Sequence, residues 1–193
     1  MSRNNTQSQN YVCHSDEIDL ILRVDAKFRL PKYIAIDKAF DDCKNLSEYT
    51  SYCERGIQPI YGKNTHFYVV KSKDVDWQFT REDELEIISK RSFEKDKKNQ
   101  IQYKDVLVNG TGDGTACRSS MWFSKDTKTI ADGHVTILRA NKIIDSEYLF
   151  VFLSCKYGVM QLERQITGSS GQLELYAEHI KKIKVPLINK SKR

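Results

Sequence analysis

The sequence predicts a single α+β domain with a short twisted or barrel-like β-sheet and several helices. Three observations lead there. The 193 residues are enough for one well-buried core and few for two. Short β-branched runs mix with helically spaced segments in no steady strand–helix–strand rhythm, and no repeat or internal linker divides the chain. A hydrophobic content of 39%, with 10% aromatic residues, suits a packed core better than disorder.

The elements follow in order. Residues 1–10, rich in Asn, Gln and Ser, read as a flexible leader, and the ordered domain spans 11–188. "PKYIAIDKAFDDCK" has Pro31 suited to a first helical turn and Tyr33, Ile36, Phe40 and Cys43 on one face. "HFYVVKS" (66–72) is β-branched and aromatic, hence a strand. "TREDELEIISKRSF" reads as a helix capped by Thr80 and Asp83, with Leu85 and Ile88 in the core. "KDVLVNG", "SSMWF" and "HVTILRA" are further strands. "DSEYLFVFLSCKYG" predicts a helix that starts at Asp145 or Ser146 and stops at Gly158. A last helix follows the loop "TGSSGQ", capped by Ser169 and Gln172. It buries Leu173, Tyr176, Ala177, Ile180 and Ile183, leaves Glu174, Glu178, Lys181 and Lys182 in water, and ends at Pro186. Residues 189–193 form a basic tail.

The net charge of +5 and pI near 8.8 permit a polyanionic partner without requiring one. No apolar run has the length of a membrane span, and "MSRNNTQSQN" lacks the apolar stretch of a signal peptide, so a cytoplasmic location is expected. The five cysteines are widely spaced without a C-x-x-C pair, which disfavours a disulfide framework or a zinc site. "NGTGDGT" matches neither nucleotide-binding glycine pattern. Only three prolines occur, none in the tetrapeptide context of an adenine methyltransferase. Asp25-Ala26-Lys27, Asp42-Cys43-Lys44, Asp96-Lys97-Lys98 and Asp126-Thr127-Lys128 all match a D-x-K nuclease triplet. Four matches in one Lys-rich chain show how little that signal discriminates. His134 precedes a strand, where a structural histidine outweighs a catalytic one, and His179 reads as solvated. No catalytic residue, metal or cofactor is expected.

Three loops combine glycine with polar and basic side chains. "ERGIQPIYGKN" carries Arg55, Gln58, Tyr61, Lys63 and Asn64. "NGTGDGTACRSS" carries Asn109, Thr111, Thr115, Arg118 and Ser119, together with Asp113 and Ser120. "RQITGSSGQ" carries Thr167, Ser169, Ser170 and Gln172, after Arg164 and Gln165. Glycine lets backbone amides approach a ligand, hydroxyls bond phosphate, and Arg, Gln and Asn have bidentate geometry for guanine or adenine. Each loop alone is also an ordinary turn. The six Lys and Arg of "KKIKVPLINKSKR" could track phosphates or simply be solvated.

Three blocks in order, "DVLVNGTGDGTACRSSMWF", "ADGHVTILRANKIIDSEYLFVFL" and "ITGSSGQLELYAEHIKKIKVPL", resemble the target-recognition domain of Type I restriction–modification specificity (S) subunits. "RVDAKFRLPKY" resembles that family's opening, and the likeness covers roughly residues 20–188. Ala116-Cys117 stand where Leu-Gly is common, and Gly133 where Ser is common.

The resemblance implies a non-catalytic module that reads part of a double-stranded DNA target. It would direct a methyltransferase (M) subunit acting on adenine N6, with the restriction (R) subunit and a second specificity half as further candidate partners. The chain has the length of one such domain where the family usually joins two through long helices. Side-chain chemistry puts Arg55, Gln58, Lys63, Asn64 and Arg118 first for base or phosphate contact, and Thr167, Ser169, Ser170 and Gln172 next through backbone or phosphate. The alternatives are the recognition part of a larger restriction or modification enzyme and a protein-interaction module that kept the fold.

Overall fold

The computed structural model describes residues 26–168 and 172–187. In chain order these hold α1 (Pro31–Ala39), β1 (Lys44–Asn45), β2 (Thr50–Arg55), β3 (Phe67–Val70), β4 (Glu86–Ile87), α2 (Lys90–Lys95), β5 (Val106–Asn109), β6 (Ser119–Met121), β7 (Lys128–Ala131), β8 (Val135–Ala140), α3 (Ser146–Ser154), α4 (Lys156–Gln165), α5 (Ala177–Ile180) and β9 (Lys184–Val185). The class is α+β. Among the described residues the expected single sheet is instead three, and none closes into a barrel. An antiparallel sheet runs β2-β8-β5-β6, a second runs β4-β3-β7 with β3 and β7 parallel, and β1 pairs with β9.

The four-stranded sheet is covered on both faces, which explains the unbroken burial of Val106–Asn109. Alternation along the strands sends Val106, Val108, Met121 and Leu138 to one side, against Leu149 and Leu153 of α3, Leu162 of α4 and Ile180 of α5. Leu107, Trp122, Val135 and Ile137 point to the other side, against Val70 and Ala131 of the second sheet. Arg139 ties the far end of β8 to Asp105 through Nε to Oδ1 (2.9 Å) and Nη2 to Oδ2 (2.7 Å).

Most elements lie where the sequence places them, with four departures. The helix begun by Pro31 ends at Ala39, so Tyr33 and Ile36 are buried while Cys43 is only partly so. The helix expected over 80–93 is mostly absent. Thr80 pairs with Val75 in a tight hairpin and its hydroxyl meets Ser120 Oγ at 2.7 Å, while Glu86–Ile87 is recruited as a strand by β3. Helix begins only at Lys90, capped by Ser89. Tertiary pairing has overridden a weak local cap.

Gly158 is not a stop either. The helix breaks at Cys155, which is extended, and α4 runs through Gly158, where a Cβ would lie 2.1 Å from the Phe152 carbonyl oxygen. The glycine serves the close packing of α4 on α3.

The last helix shrinks to Ala177–Ile180. Residues 172–176 are extended, so no helix begins there for Ser169 and Gln172 to cap; Ser169 and Ser170 themselves lie outside the described residues. Leu175, absent from the expected apolar face, is fully buried, because a period of two rather than 3.6 governs this stretch. Among the described residues no helix is long and apolar enough to cross a membrane.

Candidate nucleic-acid interface

One end of the four-stranded sheet gathers parts of all three loops. A single register row crosses it, from Arg55 on β2 to Thr136 on β8, Val108 on β5 and Ser119 on β6. Beyond that row project Arg55, His134, the loop 110–118 and Arg118. With strands about 4.8 Å apart, Arg55 and the β6 end lie about 14 Å from each other. The width of a DNA major groove, about 12 Å, is comparable.

Glu174 fastens the loops together here. Its backbone bridges Thr111 of the second loop and Thr167 of the third, with Thr167 N–H donating to the Glu174 carbonyl (2.8 Å) and Glu174 N–H returning to Thr167 (2.9 Å). Leu175 N–H donates to the Gly110 carbonyl at 2.7 Å. This close approach needs a glycine, since a Cβ on Gly110 would sit 2.8 Å from the Leu175 carbonyl oxygen.

The Glu174 carboxylate takes a hydrogen bond from Arg55 Nη2 at 2.7 Å and lies within 3.4 Å of the Thr111 hydroxyl and 3.8 Å of His134 Nδ1. His134 Nδ1 is also 3.4 Å from Arg55 Nη2, and the guanidinium lies over the Tyr176 ring, 5.2 Å from its centroid.

Arg118 sits at the other end of the row, half-buried, with Nη1 3.2 Å from Asp76 Oδ1. Asp76 also accepts from Arg81 (2.8 Å) and from Trp77 N–H (2.8 Å), so Arg81 first and these further donors hold its carboxyl below the usual range. It anchors a hairpin whose Gln78 has φ 75° and docks through its N–H on the Ser119 carbonyl, with Trp77 and Phe79 exposed. Cys117 carries φ 73° just before Arg118, a conformation that glycine takes without strain. Its thiol, like that of Cys53, is pushed up to about 12 by burial, so both stay protonated.

The remaining sequence candidates fall into three groups. Asn109 and Ser119 are fully buried. Asn109 Nδ2 braces the loop through the Thr111 and Thr115 carbonyls, and Ser119 Oγ meets Ser154 Oγ. They support the loop rather than face a ligand. Thr111, Thr115 and Thr167 are half-buried with hydroxyls already engaged by backbone carbonyls, while Gln172 is exposed.

The first loop is divided. Gly56 and Ile57 dock on Val135 and Ala131, but Tyr61 bridges Ile88 beside β4, at the opposite edge of the second sheet from β7. Gln58 is exposed along this path. Tyr61, Lys63 and Asn64 therefore form a separate exposed patch, where Lys71 donates to the Tyr61 hydroxyl and to Glu86, both at 3.1 Å.

Glu174, Tyr176 and Asp76 were not among the sequence candidates. The helical reading turns Glu174 to water and buries Tyr176, which the extended chain instead leaves exposed, and nothing local marks Asp76. His134, a structural histidine in the sequence reading, is half-exposed, with its backbone N–H fixed on Asp132 Oδ1 and its ring Nδ1 meeting Arg55 Nη2. Among the described residues no group of three His, Cys, Asp or Glu could hold a metal ion. No known family model matches the chain, and no curated protein sequence matches it either.

Proposed function

We propose that the protein is a sequence-specific DNA-binding module of a restriction–modification system, which directs a partner N6-adenine methyltransferase and restriction complex to its site. The observation that carries this reading is the convergence of Arg55, Arg118 and the two later glycine loops on one sheet end of groove-like width. Arginine there offers donors to base edges, and the backbone of glycine loops offers amides to phosphate. The excess positive charge of the chain favours a polyanion.

Fluorescence anisotropy with labelled duplexes at two salt concentrations tests the reading. Affinity should fall steeply with salt, the slope counting the phosphates neutralised. Repeating the titration with a methyltransferase subunit should tighten binding and sharpen its sequence preference. Binding indifferent to salt, with and without that subunit, would remove the proposal.

A further inference from the structure

We infer that Arg55 reads a guanine base edge and that Glu174 is the positioning residue that aims it, an assignment that rests on the DNA-binding reading above. The argument begins with the donor inventory of the guanidinium. Nε is buried without a partner, and Nη2 is fixed by the Glu174 carboxylate at 2.7 Å. Nη1 has no hydrogen-bond partner among the described residues and, unlike Nε, is not buried. Nη1 is thus the donor left open, and the Nη2 hydrogen that meets His134 Nδ1 at a long 3.4 Å is the one a stronger acceptor takes over when it displaces the half-exposed imidazole. Two parallel donors match the O6 and N7 acceptors that only guanine presents in the major groove.

The arrangement suits base reading better than phosphate binding. Arg55 and Glu174 cancel in charge, so the cluster exerts little net pull on a phosphate, whose attraction is mainly Coulombic. Here orientation is fixed three times over. Glu174 holds Nη2, Tyr176 lies beneath the guanidinium plane, and β2 pairs with β8 right up to Arg55. Glu174 is itself pinned by its own backbone between the two glycine loops. A preorganised arginine loses less conformational freedom on contact than a solvated one.

The test selects bound duplexes from a pool randomised at the centre, using the full chain as wild type, Arg55→Lys and Glu174→Gln, each checked for fold by circular dichroism. Wild type should enrich a motif containing a guanine. Arg55→Lys should lose preference at that one position by roughly 5- to 150-fold. Its salt slope should stay unchanged, because the charge remains. Glu174→Gln should weaken preference at the same position alone, a selectivity that a merely structural role would not produce. An unchanged motif in Arg55→Lys overturns the inference and leaves the sequence-specific reading intact, whereas salt-dependent binding without any motif overturns the inference and cuts that reading back to non-specific DNA binding. A uniform loss over all sequences in Arg55→Lys marks a phosphate contact and also overturns it. Failure of the wild type to bind any duplex defeats both.

Discussion

Strands β2 and β8 carry two arginine–carboxylate pairs that look alike and differ in what they leave open. In each, an arginine Nη2 lies 2.7 Å from a carboxylate oxygen and the arginine side chain is 21% exposed. Each guanidinium also lies over a tyrosine, Tyr176 for Arg55 and Tyr52 for Arg139. Arg139, however, spends Nε and Nη2 on Asp105 and Nη2 again on the Gln100 carbonyl, and Asp105 is 2% exposed. Arg55 spends only Nη2, on a Glu174 that is 26% exposed and, at 3.4 Å, on His134 Nδ1. The first pair clamps a buried acid and locks the far end of β8, and the second holds an arginine still beside an acid that reaches solvent. What separates a brace from a reader is the burial of the acid and a grip from two nitrogens rather than one, not the length of the ion pair.

The sharpest way to break this comparison is to remove the buried acid. Asp105→Ala strands a guanidinium in a half-buried site and should cost about 3–5 kcal/mol in urea-monitored unfolding. DNA affinity of the fraction still folded should not change. A loss below about 1 kcal/mol would mean that the Asp105 end is no more of a brace than the Glu174 end. Gly110→Ala should come next. Its Cβ would press on the Leu175 and His134 carbonyls, costing about 1–3 kcal/mol and parting the loops that Glu174 joins. Duplex affinity should fall along with the melting temperature; unchanged affinity would detach the loop junction from the interface. Glu174→Gln is the smaller change, about 1 kcal/mol or less, since both partners reach solvent. A loss as large as that of Asp105→Ala would make this pair a brace as well.

The two ends were not equally legible. The strands around Asp105 and Arg139 follow from β-branched runs such as "DVLVNG" and "HVTILRA", because a strand buried on both faces must be apolar throughout. Strand β2, "TSYCER", escaped notice as a polar edge strand whose partner lies more than eighty residues away. The open end was half legible. Arg55, Arg118, Thr111 and Thr167 stand out as polar residues in glycine loops, and the structure brings them to one end of the four-stranded sheet. Glu174 was hidden because Leu173, Tyr176, Ala177, Ile180 and Ile183 also fit a helical face. Only the pairing with Thr111 and Thr167 makes the stretch extended, and that pairing is non-local. The same limit applies to Tyr61, Lys63 and Asn64: adjacency in sequence to Arg55 says nothing about the irregular path after Gly56 that carries them to another sheet.

A third arginine pair lies between these extremes, and pH probes it with the smallest expected effect. Arg118 shares Asp76 with Arg81, and the carboxyl is held below its ordinary value of 3.8, chiefly by the Arg81 hydrogen bond, then by the Trp77 N–H and Arg118. A carboxylate depressed in the folded state adds its full stabilisation above the ordinary value and loses it as pH falls through the lowered one. Trp77 emission should therefore stay constant from neutrality down to about pH 4 and change only below that. Subtracting the signal of Trp77→Phe removes the contribution of the buried Trp122, whose own emission reports whether the core survives. Arg81→Ala should raise the midpoint toward 3.8, and Arg118→Ala should raise it less, following the order of their contributions. A midpoint above 3.8 in the unaltered chain would mean that the arginines do not grip Asp76. Arg118 would then be the freer of the two interface arginines and suited to phosphate, leaving base reading to the held Arg55.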